Sequence, residues 1–121
     1  MPTEEAIVVD GPLFVTWNRY GEDVVVIALA GELDAANVAT ARRVIAEVTS
    51  TGEEEMLVVD LSALEFIDSA GVALLVSLTE FGGDGANLRI VPSPAPAVAR
   101  VLRVTGVESM LRIAGEGVHS R

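Results

Sequence analysis

Cysteine is absent from this sequence of 121 residues, and the single histidine is His119, two residues from the end. Without thiols there are no disulfide bonds, zinc–thiolate centres, iron–sulfur clusters or cysteine nucleophiles. One histidine provides no material for a Ser/His/Asp triad or for a metal site built from several histidines. The sequence therefore excludes a hydrolase of these kinds and predicts no metal site.

Lysine is also absent, and eight arginine residues stand against 18 aspartate and glutamate residues, so that the formal net charge is −10. Such a surface repels phosphate backbones and anionic lipids, which bind to faces rich in cations. No apolar stretch has membrane-spanning length, and residues 1–5 lack the positive charge of a secretory signal. These absences predict a soluble, cytoplasmic protein that binds neither nucleic acid nor membranes.

Half of the residues are apolar, which allows a chain of this length to bury one core as a single domain. Runs of β-branched residues alternate with segments in which apolar residues recur at helical spacing. The predicted strands are Leu13–Trp17, Val24–Ala30, Met56–Asp60, Leu88–Val91 and a last short strand at Met110–Ile113. The predicted helices span residues 35–50, Ser69 to Gly82-Gly83, and Pro94 or Pro96 to Gly106.

Strands that alternate with helices need crossover connections, which build a parallel sheet. The fold class is therefore α/β, with a mixed, mostly parallel β-sheet and helices packed on it. The first strand is expected at an edge, and the second is expected to be covered on both faces and to end at Gly31. We expect residues 1–12 to be a lead-in, 13–113 to form the domain, and 114–121 to be a flexible tail.

The segment Asp68-Ser69-Ala70-Gly71 carries the pattern most informative about function. A buried strand and a loop deliver it to the start of a helix, and ligands and partners bind beyond the carboxyl ends of strands in open α/β sheets. Asp68 is expected to cap the free N–H groups of the first turn, and Ser69 to expose its hydroxyl there. Gly71 would let the backbone or phosphate of a partner approach closely. The structural alternative is a helix cap followed by a packing glycine.

Further motifs flank this segment in a fixed order. They are Gly31-Glu32-Leu33-Asp34, Asp60-Leu61-Ser62, Phe66-Ile67 directly before Asp68, and Val104-Thr105-Gly106-Val107. With these motifs, residues 13–113 closely resemble the anti-sigma factor antagonists, which carry the STAS domain. The resemblance implies a single STAS-like domain with a mixed sheet, without catalytic activity and without a cofactor.

The resemblance also implies a mechanism of transcription regulation by partner switching, with Ser69 as the phosphorylation site. In this family the unphosphorylated antagonist captures an anti-sigma factor serine kinase and so releases a sigma factor. The kinase phosphorylates the serine with ATP, and a metal-dependent serine phosphatase resets the cycle. The residues implied in partner binding are Glu32, Asp34, Phe66, Ile67, Asp68, Ala70, Gly71 and Val72.

Two other functions remain open at this point. One is a scaffolding STAS domain of a stress-signalling or lipid-transport complex, in which Ser69 is only part of a helix start. The other is a small nucleotide-binding module, which the absence of a Walker-type glycine and lysine loop disfavours.

Three neighbouring features allow more than one interpretation. Asp34 is most simply the N-cap of the first helix, although the matching loop of the family also contacts the kinase. The second helix is apolar nearly all round, so it is either buried or presents a patch to a partner. Glu32, Asp34, Glu65 and Asp68 are predicted near one end of the sheet, where they would attract a basic partner.

The sequence departs from the family pattern at its C-terminal end. Family members usually continue into a C-terminal helix, but Ala114-Gly115-Glu116-Gly117 breaks helical structure here. Without that helix the back of the sheet would be less covered, and a homodimer would compensate for it.

Overall fold

A computed structural model describes residues 4–21, 23–49, 56–80 and 87–107 of the chain. These residues form a mixed β-sheet and helices around one hydrophobic core. The strands are β1 (Glu4–Asp10), β2 (Leu13–Tyr20), β3 (Val24–Leu33), β4 (Met56–Asp60), β5 (Leu64–Ile67) and β6 (Leu88–Val91), and the helices are α1 (Val38–Val48), α2 (Ser69–Leu78) and α3 (Pro96–Val104). No helix in these ranges combines the length and the apolar character that crossing a membrane requires.

The predicted mixed sheet is confirmed, with the strand order β1-β2-β3-β4-β6. β3 pairs in parallel with β4 along its first half and with β5 along its last three residues, and β4 pairs in parallel with β6. β1–β2 and β2–β3 are antiparallel and form the longest ladders. The antiparallel part is therefore larger than predicted, because β1 adds a second antiparallel pairing.

Three predictions about strands are wrong. Residues 1–12 are not only a lead-in, because β1 lies within them and takes the edge position that was expected for β2. β3 does not end at Gly31 but continues to Leu33, with a register shift after Gly31. The loop expected between the strand Met56–Asp60 and Asp68 contains β5, which pairs with the last residues of β3.

Gly31 explains how β3 continues through a sequence typical of a strand end. Its backbone has φ +90°, a left-handed conformation that L side chains rarely adopt. A Cβ at Gly31 would lie 2.0 Å from the carbonyl oxygen of Pro12, which accepts a hydrogen bond from the N–H of Glu32 at 3.1 Å. Glycine is therefore required where β3 passes the β1–β2 turn.

The helices cover one face of the sheet. Along β3, Val25, Ile27 and Leu29 are fully buried and alternate with half-buried residues, so the prediction that this strand is covered on both faces is wrong. Buried residues of all three helices join the same core. They are Ala41, Val44, Ile45 and Val48 of α1, Val72, Leu74, Leu75 and Leu78 of α2, and Val98 and Leu102 of α3.

The helices start where the sequence predicts or a few residues later. α1 begins at Val38 because residues 35–37 form a turn, in which the Asp34 carbonyl accepts from the N–H of Val38 at 2.9 Å. α3 has Pro96 in its first turn, and Gly106 follows its end with φ +81°. The burial of α2 favours packing over a patch that faces a partner.

α2 ends at Leu78, earlier than the expected glycine stop. The hydroxyls of Ser77 and Thr79 donate to the carbonyls three residues before them, at 2.6 Å each, which tightens the last turn. Gly82-Gly83, the strand at Met110–Ile113 and the tail 114–121 lie outside the described residues.

Candidate functional site

Ser69 is the first residue of α2, and its side chain is exposed. The residue before it, Asp68, has an extended backbone and occupies the N-cap position. Its Oδ1 accepts hydrogen bonds from the backbone N–H groups of Ala70 at 2.9 Å and Gly71 at 3.1 Å. The predicted cap is therefore present, and it leaves Ser69 at the solvent-facing end of the helix.

The second carboxylate oxygen of Asp68 reaches a different part of the chain. Oδ2 accepts from the backbone N–H of Ala35 at 3.0 Å, and the backbone N–H of Asp68 donates to the carbonyl of Leu33 at 3.2 Å. One carboxylate thus holds the start of α2 against the segment between β3 and α1. Ser69 therefore lies next to residues 32–36, hereafter the α1 loop.

The side chain of Asn37 is hydrogen-bonded to the backbone of the α1 loop. Its side chain is buried, its Oδ1 accepts from the N–H of Asp34 at 2.9 Å, and its Nδ2 donates to the carbonyl of Glu32 at 3.0 Å. Asn37 also occupies the N-cap position of α1, so the assignment of that position to Asp34 is wrong. Asp34 instead accepts from the N–H of Ala36 at 3.0 Å within the turn.

Asn37 and Ser93 are two structural residues that sequence analysis missed. Ser93 is buried, donates to the carbonyl of Leu64 at 2.6 Å, and accepts from the N–H of Ala95 at 3.0 Å, which joins β5 to the start of α3. An asparagine just before a helix was an available signal for Asn37. The partner of Ser93 is 29 residues away in sequence, and no local pattern identifies it.

The eight residues implied in partner binding divide by exposure. Glu32 and Phe66 are exposed, with 43% of Phe66 accessible to solvent, whereas Asp34, Asp68 and Ala70 are half-buried. The other three, Ile67, Gly71 and Val72, are buried in the chain's own core, so the expectation that they contact a partner is corrected. The first five residues are at least partly accessible to solvent.

Gly71 has an internal reason for lacking a side chain. A Cβ there would lie 2.6 Å from Cγ1 of Ile67 and 3.0 Å from Cγ and Cδ2 of Leu33. The ends of β5 and β3 therefore fill the space that was expected to be open to a partner. Gly71 allows α2 to pack closely on these strands, which is the structural alternative for this position.

The surface around Ser69 combines negative charge with one apolar group. Glu32 pairs with Phe66 across β3 and β5, and Glu65 directly precedes Phe66. Asp68 accepts a hydrogen bond from Ala35, the residue after Asp34. Glu32, Asp34, Glu65 and Asp68 thus lie near one end of the sheet, where β3 and β5 finish. In the described ranges, no group of three or more histidine, cysteine, aspartate or glutamate residues is arranged to hold a metal ion.

Known proteins share parts of this sequence and this fold. The family model of the STAS domain matches residues 19–116. The chain is 29% identical over 90 residues to the anti-sigma-F factor antagonist RsfB of Mycobacterium tuberculosis, which covers 74% of this chain and 72% of that protein.

Solved structures show the same fold. The anti-sigma factor antagonist SpoIIAA in its unphosphorylated form aligns with a TM-score of 0.66 and 27% identity over 78% of this chain and 83% of that one. The phosphorylated form of the Bacillus cell fate determinant SpoIIAA aligns with a TM-score of 0.59 and 26% identity, over 78% and 86% of the two chains. An anti-sigma factor antagonist from Mycobacterium paratuberculosis, at 24% identity and a TM-score of 0.65, covers 89% of this chain and 81% of its own.

Replacing Asp68 tests the bridge between α2 and the α1 loop. Asp68→Ala removes the cap and the bond to Ala35, so we expect the free energy of unfolding to fall by about 1–3 kcal/mol. The matched control is Asp34→Ala, which loses a single local bond and should cost less than about 1 kcal/mol. Urea unfolding measures both variants, and equal losses would contradict the bridging role of Asp68.

Replacing Gly71 distinguishes an internal packing role from an open surface. Gly→Ala at an unhindered helix position stabilises a protein by up to about 1 kcal/mol, whereas overpacking costs about 1–3 kcal/mol. Because Ile67 and Leu33 occupy the space, we expect Gly71→Ala to destabilise the fold in thermal or urea unfolding. A stabilised variant would show that the space beside Gly71 is free.

Proposed function

The chain belongs to the STAS domain family and is homologous to anti-sigma factor antagonists, and on this premise we propose that it is a phosphorylation-controlled partner switch. In its unmodified form it captures an anti-sigma factor serine kinase and thereby releases a sigma factor. The kinase phosphorylates Ser69, and a serine phosphatase removes the phosphate. The chain itself acts by binding and not by catalysis.

The observation that carries this proposal is the position of Ser69. Its side chain is exposed at the start of α2, and its hydroxyl makes no hydrogen bond to another described residue. A kinase can therefore reach the hydroxyl without unfolding any element. Ser77, also exposed, already donates its hydroxyl to the carbonyl of Leu74 at 2.6 Å.

The surroundings of Ser69 favour an effect of phosphate on the partner rather than on the fold. A phosphate adds about −1.5 to −2 charges. A helix N-terminus attracts an anion by only about 0.3–1 kcal/mol, and here the N–H groups of Ala70 and Gly71 are already bonded to Asp68. The new charge therefore gains little from the helix end and remains on the surface that a partner would contact.

Asp68 adds to this effect. Its two oxygens are held by three backbone N–H groups, so it cannot turn away from a phosphate on the neighbouring residue. A partner that closes over both groups must desolvate two adjacent negative charges. Since every 1.4 kcal/mol of lost complementarity weakens binding about tenfold, a modest penalty is enough to exchange partners.

Phosphorylation by the partner kinase and ATP should add one phosphate, detected by intact-mass analysis. Ser69→Ala should abolish it. Ser62→Ala is the matched control, because Ser62 is also exposed, in the turn after β4, and should leave phosphorylation unchanged. A phosphate on any residue but Ser69 would overturn the assignment, and no phosphate at all would favour the scaffolding STAS domain.

Binding of the kinase should depend on charge at position 69 rather than on side-chain size. Ser69→Asp and Ser69→Asn have nearly the same shape, but only the first adds a negative charge beside Asp68. We expect Ser69→Asp to bind at least tenfold more weakly than Ser69→Asn and Ser69→Ala in calorimetric titration, with little change in unfolding free energy. Equal affinities of the Asp and Asn variants would show that charge does not control binding.

A further inference from the structure

The face of the sheet that the helices leave uncovered takes no part in the proposed switch. Residues paired directly across strands lie on the same face, which places Ile7, Thr16, Ala28, Asp60 and Val91 in one row across five strands. None of these residues belongs to the buried core, which the described helices build on the opposite face.

This uncovered face is mainly apolar. We call it the open face and define it by Ile7, Val9, Phe14, Val26, Val58 and Val91, which share the orientation of that row by strand alternation. Ile7 and Val9 on β1 are 58% and 56% exposed. Soluble monomers rarely expose a contiguous apolar patch of several hundred Å², so such a patch indicates an interface.

The charge of the open face suits a second copy of the same chain better than a charged partner. The charged residues that strand pairing places on it are Asp60 on β4, Arg89 on β6, and Glu5 on β1, which is in the same cross-strand row as Arg89. The chain as a whole carries −10, so most of its negative charge lies elsewhere. Two copies that meet at the open face therefore bring together surfaces of low net charge, with two acidic residues and one arginine in each copy.

The size of the open face is at the threshold for a stable dimer. The five strands lie about 4.8 Å apart and contain on average about seven residues, each about 3.3 Å long. The flat area of the face is therefore roughly 19 Å by 23 Å. With the relief of the side chains, two such faces bury on the order of 1,000 Å² or more, which is the lower limit of specific interfaces. The expected association is specific but weak.

We infer that the open face is a homodimer interface, in which two sheets stack face to face as in a β-sandwich. Stacked sheets pack about 10 Å apart with their strands within about 30° of each other. A two-fold axis places the same patch on both sides, so Asp60 of each copy is available to Arg89 of the other. This inference does not depend on the proposed function, because it involves neither Ser69 nor a kinase.

Sedimentation equilibrium of the full chain, without kinase, tests this inference over a wide concentration range. The molecular mass should rise from monomer to dimer. Val9→Lys should weaken dimerisation at least tenfold, because it places a charge in each half of the apolar interface. The matched control is Val104→Lys, the same change at a valine that is 72% exposed at the end of α3, and it should dimerise like the wild type.

Salt provides a second readout. The two negatively charged copies repel each other outside the interface, and the Debye length falls from about 8 Å at 0.15 M salt to about 3 Å at 1 M. Dimerisation should therefore strengthen as salt increases. If circular dichroism shows that Val9→Lys does not fold, Ile7→Lys replaces it as the variant on the open face.

A chain that is monomeric at every concentration would overturn the inference. A structure in which residues 108–121 cover the open face would also overturn it, because the chain could not dimerise through that face. A dimer that is equally stable in Val9→Lys and Val104→Lys would also overturn it, since the contact would lie on another surface. A dimer weakened only by substitutions on the open face supports it.

Discussion

The arrangement of the site depends on one side chain, the carboxylate of Asp68. Its Oδ1 satisfies two N–H groups of the first turn of α2, and its Oδ2 holds the N–H of Ala35 in the α1 loop. Unpaired N–H groups at a helix start need acceptors, and a single carboxylate supplies them for two segments 33 residues apart. Ser69 is therefore fixed beside a loop that is distant in sequence.

Two neighbouring parallel strands bring these two segments to the same end of the sheet. β5 runs parallel to the last residues of β3, so both strands deliver their carboxyl ends, Leu33 and Ile67, to one place. Gly31 allows β3 to continue past the turn at Pro12, and Gly71 allows α2 to pack on both strand ends. The exposed residues of the site thus rest on buried residues that hold them in position.

Much of this fold was predictable from local patterns. The cap at Asp68, the strands at Met56–Asp60 and Leu88–Val91 and the buried stripes of the helices follow from residue type and spacing alone. β5 was not predictable, because its buried residues Leu64 and Ile67 enclose two exposed ones and so do not alternate, and β1 was missed because its sequence begins with two glutamates. Gly31 resembles a strand end unless the position of Pro12 is known.

The central claim is that a partner binds the surface made by the α1 loop and residues 65–70, and that a phosphate on Ser69 prevents this. Backbone amide NMR of the labelled chain, titrated with the anti-sigma factor kinase, tests it most directly. The account predicts shift changes concentrated in these two segments for the unmodified chain, and none for the chain phosphorylated at Ser69. Equal changes in both forms, or changes confined to the outer side of α1 or to the open face, would contradict it.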